Sequence, residues 1–167
     1  MWLGLSAHRT SDGRLVCWDD DTVDFEDLVA ALATPDLAAV LVMHTDVDAV
    51  EEALATVRRH WQGALGTYPH VGTWTPPNWG FDESFTPEEL VRRARGWIDQ
   101  GAQIVGGCCG LGPAYIRAVA NDSRSPCRRA SARAAGFASG TSSTTGAPAA
   151  RAARARNRSS ATCSSSA

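Results

Sequence analysis

Two adjacent cysteines set between glycines offer the most chemistry in this sequence. The stretch Gln103-Ile104-Val105-Gly106-Gly107-Cys108-Cys109-Gly110 is a short apolar run that ends in two glycines, two thiols and a third glycine. The run follows a helical pattern and reads as a buried strand. The glycines let the backbone turn sharply at the strand end, with no Cβ in the way. Neighbouring side chains diverge along an extended chain, so two vicinal thiols are poorly set to bridge each other. Two thiolates at one point suit a soft metal, most often zinc. The blander alternative is a pair of small buried residues at a tight turn, since free cysteine is often buried. Two in a row between glycines at a strand end weigh against it. A zinc site with an open position needs a third protein ligand, which must come from another element.

The elements that would position such a site alternate along the chain. Met1–Ala7 is a plausible first strand, and Ser11-Asp12-Gly13-Arg14 is a turn signal. Phe25, Leu28, Val29 and Leu32 have helical spacing within Asp24–Ala33, a segment closed by Thr34-Pro35-Asp36. Ala38–Met43 is the clearest buried strand and runs into His44-Thr45-Asp46. Thr45 is expected to cap a helix carrying Val50, Leu54 and Val57 towards His60. Ala64–Pro69 is the next strand. A loop rich in Gly, Pro and Trp follows, from His70 to about Phe85. Thr86-Pro87-Glu88-Glu89 then supplies an N-cap, a proline at the first helical position and a carboxylate at the third. That helix carries Leu90, Val91, Ala94, Trp97 and Ile98 and ends at Gly101. After the cysteine strand, Pro113 opens a short helix with Ile116, Val119 and Ala120. Four strand–helix units in alternation predict parallel pairing with right-handed crossovers.

Gly106-Gly107-Cys108-Cys109-Gly110, followed by Pro113 and Ile116, together with Tyr68-Pro69-His70-Val71-Gly72 upstream, resembles the homocysteine S-methyltransferase family over roughly residues 1 to 120. The resemblance implies a TIM (β/α)8 barrel, of which this chain would supply the C-terminal half, about four β/α units. It also implies the third metal ligand. The family carries a cysteine at the end of a strand two units earlier, and His44 stands there in this sequence. A Cys2His set of His44, Cys108 and Cys109 is a competent Zn²⁺ site. The alternative for His44 is a ring bonded to neighbouring backbone. Two thiolates and a neutral imidazole leave a zinc site uncharged, whereas three thiolates leave it at −1. The uncharged site would lower the pKa of a bound thiol further and make its thiolate less electron-rich. Tyr68, His70 and Gly72 follow the third strand and are candidate substrate-binding residues, with His70 where the family has asparagine. A turn fixed by Pro69 and Gly72 is the competing account. Trp74, Trp79 and Phe81 are expected to pack the long loop rather than line a pocket. The implied reaction is transfer of a methyl group from a sulfonium, ammonium or folate donor to the thiol of homocysteine or a similar acceptor.

Length bounds this picture, because a complete barrel needs about 250 residues and the chain has 167. A truncated chain is therefore expected: residues 1–122 a partial barrel, residues 123–167 a disordered tail. Every basic residue is arginine, and all 18 acidic residues lie at or before Asp122 with eight of the 16 arginines. The first part thus carries 8 − 18 = −10 and the tail +8. The Ala/Ser/Arg-rich tail has no Leu, Ile or Val and too little apolar surface to fold. An altered reading frame in a GC-rich gene would give the same composition. Nucleic acid is not the expected partner of that tail, since the aromatic interleaving of single-strand binders is absent. No apolar run is long enough for a membrane span, and five cysteines without framework spacing fit a reducing, cytoplasmic setting. Half a barrel leaves two sheet edges open, so the chain would need a partner half-barrel or a homodimer, or would be unstable. The expectations are thus a zinc-dependent S-methyltransferase or, as the alternative, a non-catalytic metal-binding remnant. An unrelated flavodoxin-like domain would leave the Gly-Gly-Cys-Cys-Gly run unexplained.

Overall fold

The computed structural model describes residues 1–82 and 84–124. Met1–Asp122 forms one compact unit. The expectation of a disordered 123–167 tail, and Cys127 and Cys163 with it, falls almost wholly outside the described residues.

The chain is mixed α/β. Four parallel strands make the central sheet in the order β1 (Trp2–Leu5), β5 (Ala39–Asp46), β6 (Ala64–His70), β9 (Ile104–Val105). Helices α1 (Phe25–Leu32), α2 (Val50–His60) and α3 (Pro87–Asp99) connect successive strands, and α4 (Pro113–Ser123) follows the last. Sequence order equals spatial order in this sheet, so right-handed crossovers put these connecting helices on one face. Leu5, Val40, Val42 and Leu65 point to that face and pack with Phe25, Val29, Val50, Leu54, Val57, Leu90, Ala94 and Trp97. The parallel register Leu3↔Val40, Leu5↔Val42, Val40↔Leu65 and Thr67↔Val105 keeps these side chains on one side. The opposite side carries Trp2, Leu41, Met43, Tyr68 and Ile104, by the two-residue alternation of strands.

Local signals explain most boundaries. Asp24 caps α1 by accepting from the Glu26 N–H at 2.8 Å. Thr86 caps α3 by accepting from the Glu89 N–H at 3.2 Å, with Pro87 opening the helix as expected. Gly101, at φ 96°, ends it.

Four expectations fail. Thr45 does not cap α2; it lies within β5, and α2 begins at Val50 after Ala49, which makes no side-chain cap. The Thr45 hydroxyl instead accepts from the Ala7 N–H (3.0 Å) and donates to the Met43 carbonyl (3.0 Å). A buried strand-edge amide thus outcompetes a helix end that water can reach. The first connection is not a loop, since β2 (Ala7–Arg9), β3 (Leu15–Cys17) and β4 (Asp20–Asp24) form an antiparallel sheet. The long 70–85 segment likewise contains a hairpin, β7 (Thr73–Thr75) with β8 (Asn78–Gly80). Finally, Ile116, Val119 and Ala120 have core spacing, yet α4 contains no buried residue.

Candidate metal centre

The carboxyl ends of the parallel strands bring the candidate ligands together. His44 sits near the end of β5, where the β5–β6 register is irregular between Met43 and Asp46. Its φ of 45° is the left-handed conformation that a residue with a Cβ rarely adopts. Such a backbone persists only where its surroundings impose it, and it turns the imidazole out of the strand's alternation.

Cys108 and Cys109 follow β9 in a turn pinned to the extension of β6. The Cys108 N–H donates to the Pro69 carbonyl (2.8 Å), and the Val71 N–H donates to the Cys109 carbonyl (3.1 Å). The Leu111 N–H closes the turn on the Cys108 carbonyl at 3.2 Å. Gly110 makes the turn possible. It has φ 79°, and a Cβ there would lie 2.7 Å from the Val71 carbonyl oxygen.

The result is a compact triad of donor atoms. Cys108 Sγ is 3.6 Å from His44 Nδ1, Cys109 Sγ is 3.9 Å from it, and the two sulfurs are 3.7 Å apart. A disulfide would need about 2.05 Å between the sulfurs, so both thiols are free. A tetrahedral zinc, with Zn–S about 2.3 Å and Zn–N about 2.0–2.1 Å, spaces two sulfurs by about 3.8 Å and sulfur from nitrogen by about 3.6 Å. The observed spacings therefore fit that ion. These three residues are also the group of His, Cys and acidic side chains that can converge on one ion among the described residues. All three are only half-buried, so the triad has access to solvent. Burial, and then the neighbouring Cys108, push the Cys109 thiol above its ordinary pKa. Without a cation the pair resists carrying two negative charges.

Aromatic rings surround the His44 imidazole. Trp18, His70 and Trp79 place their ring centres 4.7, 4.9 and 5.5 Å from it. Trp18 and Trp79 also flank His70, at 5.3 and 5.1 Å. His70 is 2% exposed and its Nδ1 has no hydrogen-bond partner. Burial, followed by the adjacent His44, lowers its pKa and keeps the ring neutral at pH 7.

The three candidate binding residues separate. His70 and Gly72 line a cavity of about 470 Å³ whose walls also include Trp18, Trp74, Asp46 and Asp48. Gly72, at φ 105°, lies so close to the hairpin that a Cβ would be 2.3 Å from the Gly80 carbonyl oxygen. The Tyr68 hydroxyl instead points to the Met43 sulfur, 3.4 Å away, on the sheet face turned from the helices. On the other side of the triad, Cys108 lines a second cavity of about 450 Å³ with Phe81, Leu111 and Tyr115. Sequence reasoning missed Trp18, which sits in an acidic hairpin with no spacing signal, and it gave Trp79 a purely packing role. His8 and His60 stand apart from the triad, paired with Asp21 (2.7 Å) and Glu26 (3.0 Å).

Comparisons with known proteins bear on the same region. A family model described as homocysteine S-methyltransferase matches residues 2–122. Homocysteine S-methyltransferase 1 of Zea mays is 30% identical over 117 residues, which is 65% of this chain and 34% of that protein. Methionine synthase of Mycobacterium tuberculosis (strain ATCC 25618 / H37Rv) is 35% identical over 72 residues, which is 42% of this chain and 6% of that protein. The chain therefore spans about a third of the maize relative and a small part of the mycobacterial one.

Proposed function

This chain belongs to the homocysteine S-methyltransferase family, and on that premise we propose that it carries the zinc-binding part of an enzyme methylating the thiol of homocysteine or a similar acceptor. The observation that carries the proposal is the triad of His44 Nδ1, Cys108 Sγ and Cys109 Sγ, with separations of 3.6–3.9 Å. Zinc bound there would act as a Lewis acid and keep an acceptor thiol ionised at neutral pH.

The chain's own residues divide the remaining work. His44, Cys108 and Cys109 would hold the zinc, and their half-buried setting would leave the acceptor thiol room to reach it. The cavity beside Cys108 gives the acceptor its approach. The cavity on the His70 side takes the donor, because the aromatic faces of Trp18 and Trp74 with the carboxylate of Asp46 favour a cationic methyl donor, while Arg9 and Asp48 on the same lining are engaged by Glu52 and Arg93. His70, held neutral, and the close turn at Gly72 form the wall between hairpin and triad and so position the donor. Tyr68 supports that wall from behind through Met43 rather than touching substrate. The fold reading that accompanies this function is a portion of a (β/α)8 barrel, with the site at the carboxyl ends of its strands. A cytoplasmic setting accords with the free thiols. No described helix is long and apolar enough to cross a membrane.

A second reading is a metal-holding chain that does not turn over by itself, favoured by its spanning about a third of the maize relative. Elemental analysis of the purified chain, with His44→Ala and Cys108→Ala alongside, tests the site. About one zinc per chain, lost in both variants, is the expected result; a folded chain without zinc overturns it. Methyl transfer to homocysteine by the zinc-loaded chain then separates the two readings.

A further inference from the structure

An imidazole is a more demanding metal ligand than a thiolate. Its lone pair lies in the ring plane, so two side-chain torsions must be set before Nδ1 can point at an ion. A ligating histidine is ordinarily oriented by a hydrogen bond from its second ring nitrogen to a carboxylate, a carbonyl or water. In His44, Nδ1 faces the sulfurs of Cys108 and Cys109. Among the described residues no protein group bonds its other nitrogen. The backbone does not fix the ring by strand alternation either, since His44 has φ 45°.

Aromatic packing meets the ring instead. Trp18 lies 4.7 Å from His44, centre to centre, with the ring planes at 66°. Trp79 lies 5.5 Å away at 81°. Both are edge-to-face contacts, an arrangement in which aromatic rings attract. The indoles come from separate elements, Trp18 from the turn between β3 and β4 and Trp79 from β8, and both are half-buried. The antiparallel sheet holds Trp18 firmly in this place. Its β3–β4 register shifts between Val16 and Cys17, the kind of bulge that re-aims a neighbouring side chain. The Trp18 N–H donates to the Ser6 carbonyl at 3.1 Å. The His8 ring packs edge-to-face on Trp18 at 5.8 Å and is itself held by Asp21 at 2.7 Å. The Ala7 N–H donates to the Thr45 hydroxyl at 3.0 Å, which fastens β2 to the residue that follows His44.

We propose that Trp18 and Trp79 are positioning residues for the metal ligand: the two indoles clamp the His44 imidazole in the orientation in which Nδ1 faces both sulfurs. The inference rests on the reading that the triad holds zinc, and it adds what keeps the one nitrogen donor in place. Neither indole offers a donor atom to the ion. Their contribution is to restrict the ring's torsions before an ion arrives, so that less side-chain freedom is lost on ligation. The clamp gives a task to the β2–β4 sheet and the β7–β8 hairpin, which the alternation of strand and helix does not require. It is also separable from the place of Trp18 in the donor cavity, because ligation needs no methyl donor.

The test is the metal affinity of the full chain with no methyl donor or acceptor present. Zinc dissociation constants come from competition with a chromophoric chelator, and cobalt(II) in place of zinc reports the ligand field. Trp18→Ala and Trp79→Ala are each expected to raise the zinc dissociation constant about 10–100-fold, as when the support of a ligating histidine is removed. The visible cobalt bands should shift and weaken as the imidazole leaves the ion. Trp18→Phe and Trp79→Phe keep a ring and should retain most of the affinity. Far-ultraviolet circular dichroism of the metal-free chain should be the same throughout; if Trp18→Ala unfolds, Trp79→Ala, on a separate hairpin, decides. Zinc affinity and a cobalt spectrum that neither alanine variant alters overturn the clamp and leave the metal site standing. Phenylalanine variants as weak as the alanine ones overturn it as well. An unaltered, folded chain that takes no zinc overturns the metal reading and the clamp with it.

Discussion

β5 and β6 build two regions on different terms. On their helix-facing side, Val40, Val42, Leu65 and Thr67 are fully buried, and side chains of α1, α2 and α3 fill the space above them. Backbone there is regular, with four consecutive partners in register from Ala39↔Ala64 to Val42↔Thr67. A few residues further on, the same strands reach the rim and regularity ends. His44 takes φ 45°, Gly72 takes φ 105°, and His70 is buried with an unpartnered Nδ1. Two of these are unfavourable alone: the left-handed backbone of His44 costs about 1–2 kcal/mol because it has a Cβ, and the unpaired buried atom of His70 about 1–3 kcal/mol, whereas Gly72 adopts its φ freely. The well-packed layer tolerates those costs and holds the rim in a geometry that short-range preference would not select. Stability therefore resides in the packed layer, and the chemistry proposed above in the rim.

The sharpest way to break that division is Trp97→Ala. Trp97 is fully buried under the helices, so its loss should cost about 3–5 kcal/mol in denaturant unfolding. Zinc per folded chain should not change; a chain that stays folded but loses its zinc would show the regions to be one. Cys108→Ser is the converse. Zinc should fall from about one per chain to a small fraction, while unfolding of the metal-free protein shifts by less than about 1 kcal/mol, as for a half-buried site away from the core. A large loss in the metal-free state would make the cysteine turn part of the scaffold. Gly72→Ala lies between them. The left-handed backbone and the 2.3 Å approach to Gly80 predict a loss of about 1–3 kcal/mol. Tryptophan fluorescence should change as the hairpin moves off the rim, and an unchanged spectrum would detach β7 and β8 from the site. The smallest effect is expected at Glu26, an exposed carboxylate. Bonds from Arg59, then His60, hold its pKa at about 2 instead of 4.5. A lowered carboxylate pKa adds stability above the unfolded value that is lost as pH falls. Glu26→Gln should therefore lower the thermal midpoint slightly at pH 7, and the difference should vanish as pH drops from 4.5 towards 2.

Much of the scaffold is legible in the sequence because its signals are local. Apolar spacing places α1, α2 and α3, and Thr86-Pro87-Glu89 fixes the start of α3. Two of the hairpins were hidden for composition reasons. Asp19-Asp20-Asp21 and Pro76-Pro77 look like loop, yet β3–β4 and β7–β8 close around them. Thr45 carries a helix-cap signal that a distant amide, that of Ala7, overrides. α4 has the right spacing for burial, yet Tyr115 and Val119 pack only partly against the core and Ile116 stays exposed. At the site, adjacency and flanking glycines marked Cys108 and Cys109, and family resemblance marked His44. Trp18 could not be found this way. Its role arises only when the β2–β4 sheet folds back over His44 and His70.

His44 and Cys108 are 64 residues apart. A metal held by both would tie the chain into a ring containing α2, β6, the β7–β8 hairpin, α3 and β9. Were ligation to persist on unfolding, that ring would restrain the unfolded chain far more than the folded one. Closing a loop of this size removes chain entropy worth about 4 kcal/mol at 25 °C if ligation persists on unfolding. If ligation is lost on unfolding, the free energy of binding is added to folding instead. In either case the cluster acts as a fastener across the sheet, and a chelator would loosen strands far from any substrate.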